Sequence, residues 1–189
     1  MARASSPPSA QLLNLINYKG TICIDNREIR TVCPDFLRSQ ITTVTQGGIY
    51  LLGSVKFNLD PFDASLRPST CIVTDAMCEA MLHRVGLWDI ISARGDLTAR
   101  MKDMRFSGGQ RQLFQFARAM LHHHTMRTKI VLMDEATSSL DEETEARIAT
   151  ILSTAFAGCT KVVISHGAIA LNSTDSIIRL NAGRAQLVR

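Results

Sequence analysis

Runs of consecutive apolar residues predict the strands of this chain. Ile130–Met133 are four apolar residues in a row, and Lys161–Ser165 has three more at its centre. Such runs are typical of strands buried on both faces of a parallel sheet. A third strand is predicted at Ile41–Thr45, and shorter ones at Thr21–Asp25, Ser176–Leu180 and Ala185–Val188.

Helical spacing marks most of the remaining chain. After Leu113 the apolar residues fall at 113, 116, 117, 120 and 121, which is one face of a helix. Further helices are predicted at Pro34–Ser39, Thr70–Val85, Leu87–Ala93 and Glu142–Phe156. We therefore predict an α/β fold, with a mostly parallel sheet from residues 20–46 and 123–189 and a helical subdomain at about 54–121.

Composition places one domain in the 189 residues. Residues 1–10 are rich in Ser, Pro and Ala and are predicted to be disordered, so the domain is expected to occupy residues 11–189. The net charge of +4 comes without a basic and aromatic block, which argues against nucleic-acid binding. Five scattered cysteines without a Cys-x-x-Cys pair favour a reducing compartment, and no apolar run is long enough to cross a bilayer.

A glycine-rich helix start precedes the pattern at Leu113. Ser107-Gly108-Gly109-Gln110 would leave backbone N–H groups at the positive end of a helix, where an anion can approach closely. The alternative is an ordinary cap and turn.

Polar residues follow three of the predicted strands. Asp134 and Glu135 end the strand from Ile130, Gln46 follows Thr45, and His166 follows Ser165. Parallel strands present their carboxyl ends at one edge of a sheet, where ligands bind. Each residue also has an ordinary interpretation: acids at a solvated helix entrance, and a glutamine and a histidine without chemistry.

The order of these motifs resembles the nucleotide-binding domain of ABC transporters. Ser107–Gln110 match the family signature, Ile130–Asp134 the Walker B strand, and Gln46 the glutamine of the Q-loop. The string Phe57-Asn58-Leu59-Asp60-Pro61-Phe62 resembles the C subfamily, the multidrug-resistance-associated type, particularly its second nucleotide-binding domain; by itself it carries no chemistry. Gly47 and Gly48 replace the usual Asp-Pro, so a more flexible loop is expected there.

The resemblance implies an ATPase that powers transmembrane transport, with ATP and Mg²⁺ as cofactors. Asp134 would hold Mg²⁺, Glu135 would polarise the attacking water, Gln46 would sense metal and nucleotide, and His166 would contact the γ-phosphate. Ser107, Gly108, Gly109 and Gln110 would cover the nucleotide of an opposing domain. The implied partners are a second nucleotide-binding domain, arranged head to tail, and the transmembrane domains, which would place this chain at the cytosolic face of a membrane.

The family's main phosphate-binding loop, Walker A, has no counterpart before the first strand. No glycine precedes Gly20, and Ser5–Ala10 contain prolines that lack N–H donors. We therefore expect the chain alone to bind ATP weakly and not to turn it over. It is either a truncated ATPase domain of an exporter or a non-hydrolytic regulatory partner of an intact domain; a soluble ABC ATPase of DNA repair or translation fits the subfamily string less well.

Three consecutive histidines, His122-His123-His124, end the predicted signature helix. Neighbouring positions on a helix point in different directions, so a metal site is disfavoured. We expect them instead to interact favourably with the negative end of the helix dipole.

Overall fold

A computed structural model describes residues 8–45, 48–62, 71–136, 140–165, 176–181 and 184–188. Within them, seven α-helices and seven strands alternate in the manner of an α/β domain, as predicted. The helices are α1 (Pro8–Leu12), α2 (Pro34–Ser39), α3 (Val55–Leu59), α4 (Asp75–Val85), α5 (Trp88–Ser92), α6 (Gly108–Met126) and α7 (Glu142–Thr154). The strands are β1 (Cys23–Ile24), β2 (Arg27–Glu28), β3 (Ile41–Thr45), β4 (Ile130–Asp134), β5 (Thr160–Ile164), β6 (Ile178–Asn181) and β7 (Arg184–Leu187).

The parallel sheet has three strands in the described residues. It contains β3, β4 and β5 in that order, whereas β1–β2 and β6–β7 are separate antiparallel pairs. The reason is local for β1 and β2: Asp25 and Asn26 both have positive φ, 49° and 62°, as in the tight turn that joins hairpin strands. The parallel sheet thus comes from the two predicted regions, residues 20–46 and 123–189, with the short strands β1, β2, β6 and β7 outside it.

Strand β4 is the centre of the core. Val131 and Met133 pack into a large apolar cluster with the helical part of the chain, and Leu132 packs into a second cluster with Ile29 and Leu37. Successive side chains of a strand point to opposite faces, so both faces of the sheet are covered. This explains the uninterrupted apolar run in the sequence.

Helix α6, which we call the signature helix, packs between the sheet and α4. It ends at Arg127, whose φ of 53° is left-handed and whose N–H donates to the carbonyl of His123 at 2.9 Å. Helix α4 begins at Asp75 rather than Thr70, because the Thr74 hydroxyl accepts a hydrogen bond from the N–H of Met77 and caps the helix there.

Two of the three histidines at the end of α6, buried His122 and half-buried His123, belong to a polar network, whereas His124 is exposed. The Thr42 hydroxyl is 3.0 Å from His122 Nδ1 and 2.7 Å from Thr128 Oγ1, and His123 Nδ1 is 3.1 Å from the same Thr128 oxygen. Burial lowers the pKa of His123. Desolvation therefore disfavours the charged form of His123, which opposes the predicted favourable interaction with the negative end of the helix.

Candidate functional site

The carboxyl ends of the three parallel strands lie side by side. In the sheet register, Thr45 pairs with Asp134, and Asp134 pairs with Ile164. Asp134 thus occupies the middle of the edge, between the ends of β3 and β5. Gln46 and His166 lie outside the described residues.

Asp134 has a partner from the start of the chain. The Ser9 hydroxyl donates to Asp134 Oδ2 at 2.5 Å, although the two residues are 125 positions apart. Residues 8–10 belong to helix α1, which corrects the prediction of disorder for that part of residues 1–10. No spacing or pattern in the Ser- and Pro-rich stretch signals this contact, so sequence reasoning missed it.

The donor set at this edge suits a magnesium ion. Hydroxyl and carboxylate oxygens are hard ligands of the kind that Mg²⁺ prefers, and Ser9 and Asp134 bring one of each together. No lysine precedes Lys19, so residues 8–18, which bring Ser9 to this edge, contribute no ammonium group for a phosphate. The residues present therefore fit the metal better than they fit the triphosphate.

Glu135 holds an unusual backbone conformation. Its φ is 51°, and its N–H donates to the carbonyl of Ile164, the last residue of β5, at 2.8 Å. Left-handed backbone costs a residue with a Cβ about 1–2 kcal/mol. The strand pairing maintains this strained turn directly after Asp134, which fixes where the Glu135 side chain leaves the sheet edge.

The signature helix begins with a capping box. The Ser107 hydroxyl accepts from the N–H of Gln110 at 3.2 Å, and the Gln110 side chain accepts from the N–H of Ser107 at 3.0 Å. This leaves the first-turn amides of Gly108 and Gly109 outside the capping box. Both polar side chains of the motif are thereby committed to shaping the helix start.

The two signature glycines have different surroundings. A Cβ on Gly109 would lie 3.2 Å from Thr144 Oγ1 and 3.5 Å from Asp141 Oδ2, whereas a Cβ on Gly108 would meet nothing within 4 Å. The start of α7 therefore explains the glycine at 109. The described residues give no such reason for the glycine at 108, where an outside group could approach the backbone.

A cleft of about 390 Å³ joins the signature to the start of α7. Ser107 and Gly109 line one side and Asp141 and Thr144 the other. Hydrogen bonds from the backbone and hydroxyl of Thr144, both at 2.9 Å, lower the pKa of Asp141 and cap α7. The cap thus fixes the start of α7, which lies next to the signature glycine Gly109.

Two other kinds of site are absent from the part of the chain that the structure describes. No three His, Cys, Asp or Glu side chains there lie close enough to hold a metal ion. None of its helices is both long enough and apolar enough to span a bilayer.

Comparison with known proteins identifies the family. The family model for ABC transporters matches residues 10–138. The chain belongs to the ABC transporter family. The match includes the strands that end at Thr45 and Asp134, the signature and Glu135, whereas Ser9 and β5 lie outside the matched residues.

Relatives of this ABC domain are much longer proteins. It is 33% identical over 171 residues to an ABC-type transporter of Gibberella zeae, FG02316, covering 89% of this chain and 11% of the relative. It is 32% identical over 164 residues to the multidrug resistance protein fer6 of Mycosarcoma maydis, covering 87% and 11%. It is 31% identical over 176 residues to the probable multidrug resistance-associated protein lethal(2)03659 of Drosophila melanogaster, covering 92% and 12%. The domain therefore spans only about a tenth of the length of these relatives.

Proposed function

We propose that this domain takes part in the ATP-driven step of an exporter of the C subfamily, as its second nucleotide-binding domain, at the cytosolic face of a membrane. The observation that carries the proposal is the strand register, which sets Asp134 between the ends of β3 and β5. The residues that follow those ends, Gln46 and His166, are the family's matching positions. The relatives named for multidrug resistance and the string Phe57–Phe62 support the subfamily.

Each residue of the edge has a proposed role. Asp134 holds Mg²⁺, Glu135 orients and polarises the attacking water, Gln46 senses metal and nucleotide, and His166 contacts the γ-phosphate. Catalysis of phosphoryl transfer requires mainly such positioning and charge stabilisation. The contact between Ser9 and Asp134 supports the metal role, because it presents two oxygens together.

The isolated chain should bind ATP weakly. The hydrogen bonds in question are those that a Walker A loop would donate to the phosphates. Each charge-assisted bond of this kind is worth roughly 1.5–3 kcal/mol, so the loss of three or more should weaken ATP binding by about a thousandfold or more. Calorimetric titration of the purified chain with MgATP measures this directly, with an ABC domain that has its own Walker A loop as the positive control. A micromolar dissociation constant for this chain would contradict the proposal.

The signature of this chain is proposed to cover the nucleotide of an opposing domain. The open space at Gly108 supports this role, because a partner's phosphates could approach its backbone. The test is MgATP-dependent association with a hydrolysis-deficient ABC domain that has its own Walker A loop. Gly108→Asp should abolish association by charge repulsion while leaving the thermal stability unchanged or slightly higher, since an acid at a helix start is favourable. Unchanged association in this variant would refute the role.

An exposed apolar face supports a second partner, the transmembrane part of a transporter. Ile49 and Leu52 are 75% and 93% exposed, and Phe57 nearby is also exposed. We call these three residues the apolar face. Exposed apolar side chains grouped within nine residues are suited to a protein partner. Ile49→Ser with Leu52→Ser should reduce co-purification with the transmembrane domains without changing association with the opposing ABC domain.

A non-hydrolytic regulatory partner is the second candidate. The engagement of Asp134 by Ser9, together with the missing lysine, favours a site that positions metal without turning over ATP. The two candidates differ in the effect of Glu135→Gln on the ATPase rate of the paired complex. An exporter domain with a working site should lose about half of that rate or more, whereas a regulatory partner should leave it unchanged.

A further inference from the structure

Arg118, in the middle of the signature helix, holds a loop that begins two residues after Gln46. Its Nε donates to the carbonyl of Asn58 at 2.6 Å. Its Nη1 and Nη2 donate to the carbonyl of Ile49 at 3.2 and 3.3 Å. One guanidinium group thus binds both ends of the segment 48–59. This segment contains helix α3, and we call the whole of it the 48–59 loop.

Asn58 closes the 48–59 loop from inside. Its side chain is fully buried, accepts from the N–H of Leu51 at 2.8 Å, and donates to the carbonyls of Leu51 and Ser54 at 3.0 Å each. Within the string Phe57–Phe62, Asn58 therefore has a structural role, because its side chain bonds to the backbone of Leu51 and Ser54. Because Asn58 binds Leu51 and Ser54, a displacement of one end of the 48–59 loop should also displace the other end.

Gly48 and Gln115 interlock beside Arg118. A Cβ on Gly48 would lie 2.0 Å from both Cδ and Nε2 of Gln115, a distance that no real contact allows. Gln115 is buried, and its Oε1 accepts from Arg118 Nη1 at 3.1 Å, so turning its amide away would cost that bond. Gly48 is therefore packed against the signature helix. Gly47 lies outside the described residues, and the expected flexibility of the Gly47–Gly48 loop stays a prediction.

Burial makes this arrangement costly for the cation. Desolvation lowers the pKa of Arg118, and the ion pairs among the described residues do not include it. A partly buried charge needs well-placed hydrogen bonds to be tolerated, and Arg118 donates its bonds to two backbone carbonyls and to the side-chain amide oxygen of Gln115. The geometry of those bonds thus determines where the loop can sit.

We propose that Arg118 is a positioning residue that makes the 48–59 loop and the signature helix move as one rigid unit. The loop carries the apolar face and follows Gln46 in the chain. A displacement at the apolar face is therefore transmitted through Arg118 to the helix that begins at Gly108. The mechanical link stands on the contacts above; its significance for nucleotide and partner rests on the proposed function.

Hydrogen exchange followed by mass spectrometry tests the link on the complete chain. Arg118→Ala should speed exchange of the amides of residues 49–59 by about tenfold or more, because charge-assisted bonds are lost, while the amides of β4 keep their wild-type rates. Arg118→Lys keeps one donor group and should give an intermediate rate. Arg84→Ala is the matched control, because Arg84 is exposed and its hydrogen bond to Thr154 Oγ1 is long, at 3.5 Å. A uniform rise across loop and β4 would show that Arg118 only stabilises the fold, and would overturn the proposal, as would an unchanged loop.

A second pair of variants keeps the test decisive if Arg118→Ala does not fold. Gly48→Ala should speed exchange of the 48–59 loop, and Gln115→Ala in the same chain should restore most of the wild-type rate by removing the obstructing amide. Unchanged exchange of the 48–59 loop in Gly48→Ala would contradict the packing of Gly48 against Gln115. A faster exchange that Gln115→Ala does not reverse would contradict it too.

The association assay separates this inference from the proposed function. Arg118→Lys should weaken MgATP-dependent association with an intact ABC domain by about threefold or more, since a loosened loop and signature must be re-ordered. If the wild-type chain associates with the intact ABC domain and the Arg118→Lys variant associates equally well, the proposed coupling is overturned. If the wild-type chain does not associate, the proposed function fails, and hydrogen exchange alone still decides the mechanical link.

Discussion

Replacing Thr42 by valine should destabilise the domain substantially. Thr42 lies in β3 with 1% of its surface exposed, and its hydroxyl bridges His122 Nδ1 and Thr128 Oγ1. Valine has nearly the same shape but no hydroxyl, so two buried polar groups each lose a hydrogen bond. Leaving a buried group without its partner costs about 1–3 kcal/mol. Thr128 keeps its contact with His123, so we place the cost for each of the two groups in the lower part of that range. The total loss of unfolding free energy is then about 2–3 kcal/mol.

Urea unfolding measured by far-ultraviolet circular dichroism is the appropriate assay. With a urea slope of about 2–3 kcal/mol per molar for a chain of this size, the midpoint should fall by about 1 M. Thr43→Val is the matched control, because Thr43 is the next residue of β3 and is exposed; its effect should stay within about 0.5 kcal/mol. Equal midpoints for the two valine variants would refute the view that this network holds α6 against β3.

Three further predictions concern other parts of the structure. Glu135→Gly should be about 0.5–1 kcal/mol more stable in urea than Glu135→Ala, because glycine tolerates the positive φ while both variants lose the side chain; equal stabilities would argue against strain there. Because burial lowers the pKa of His123 below its ordinary 6.5, the unfolded chain binds a proton more readily, so stability should be complete above about pH 6.5 and fall below it; His123→Gln should weaken that dependence in urea midpoints measured at pH 8 and 5.5. Burial raises the pKa of the Cys78 thiol to about 11, so iodoacetamide at pH 8 should label exposed Cys23 in the native protein long before Cys78, and comparable rates would contradict the burial.

The elements best predicted from sequence were those specified by neighbouring residues. Strands β3 and β4 have the predicted bounds. In β4 the apolar run is a local signal of burial on both faces, and β3 is rich in the β-branched residues that favour strands. Helix α2 also has its predicted bounds, and a proline at its first position favours a helix start. The pair Ser107 and Gln110 forms the capping box that its three-residue spacing allows.

The parts that sequence reasoning missed depend on contacts between distant residues. Ser9 and Asp134 meet only in the folded chain, and Gly48 is constrained by Gln115 on another element. The partial burial of His123 beside Thr128, which disfavours the charged form of the histidine, is likewise not visible in the local sequence. The roles of Gln46, Glu135 and His166 stay predictions.

The order of synthesis has a consequence for strand β3. Its partner in the described sheet is β4, and helices α3 to α6 are translated between the two. Helices form from local contacts quickly, so the nascent chain can assemble its helical part while β3 still waits for a neighbour. Until β4 leaves the ribosome, β3 exposes both of its hydrogen-bonding edges and its apolar side chains to other chains. Slow translation of the stretch after α6 should therefore favour aggregation more than the same delay placed after β5.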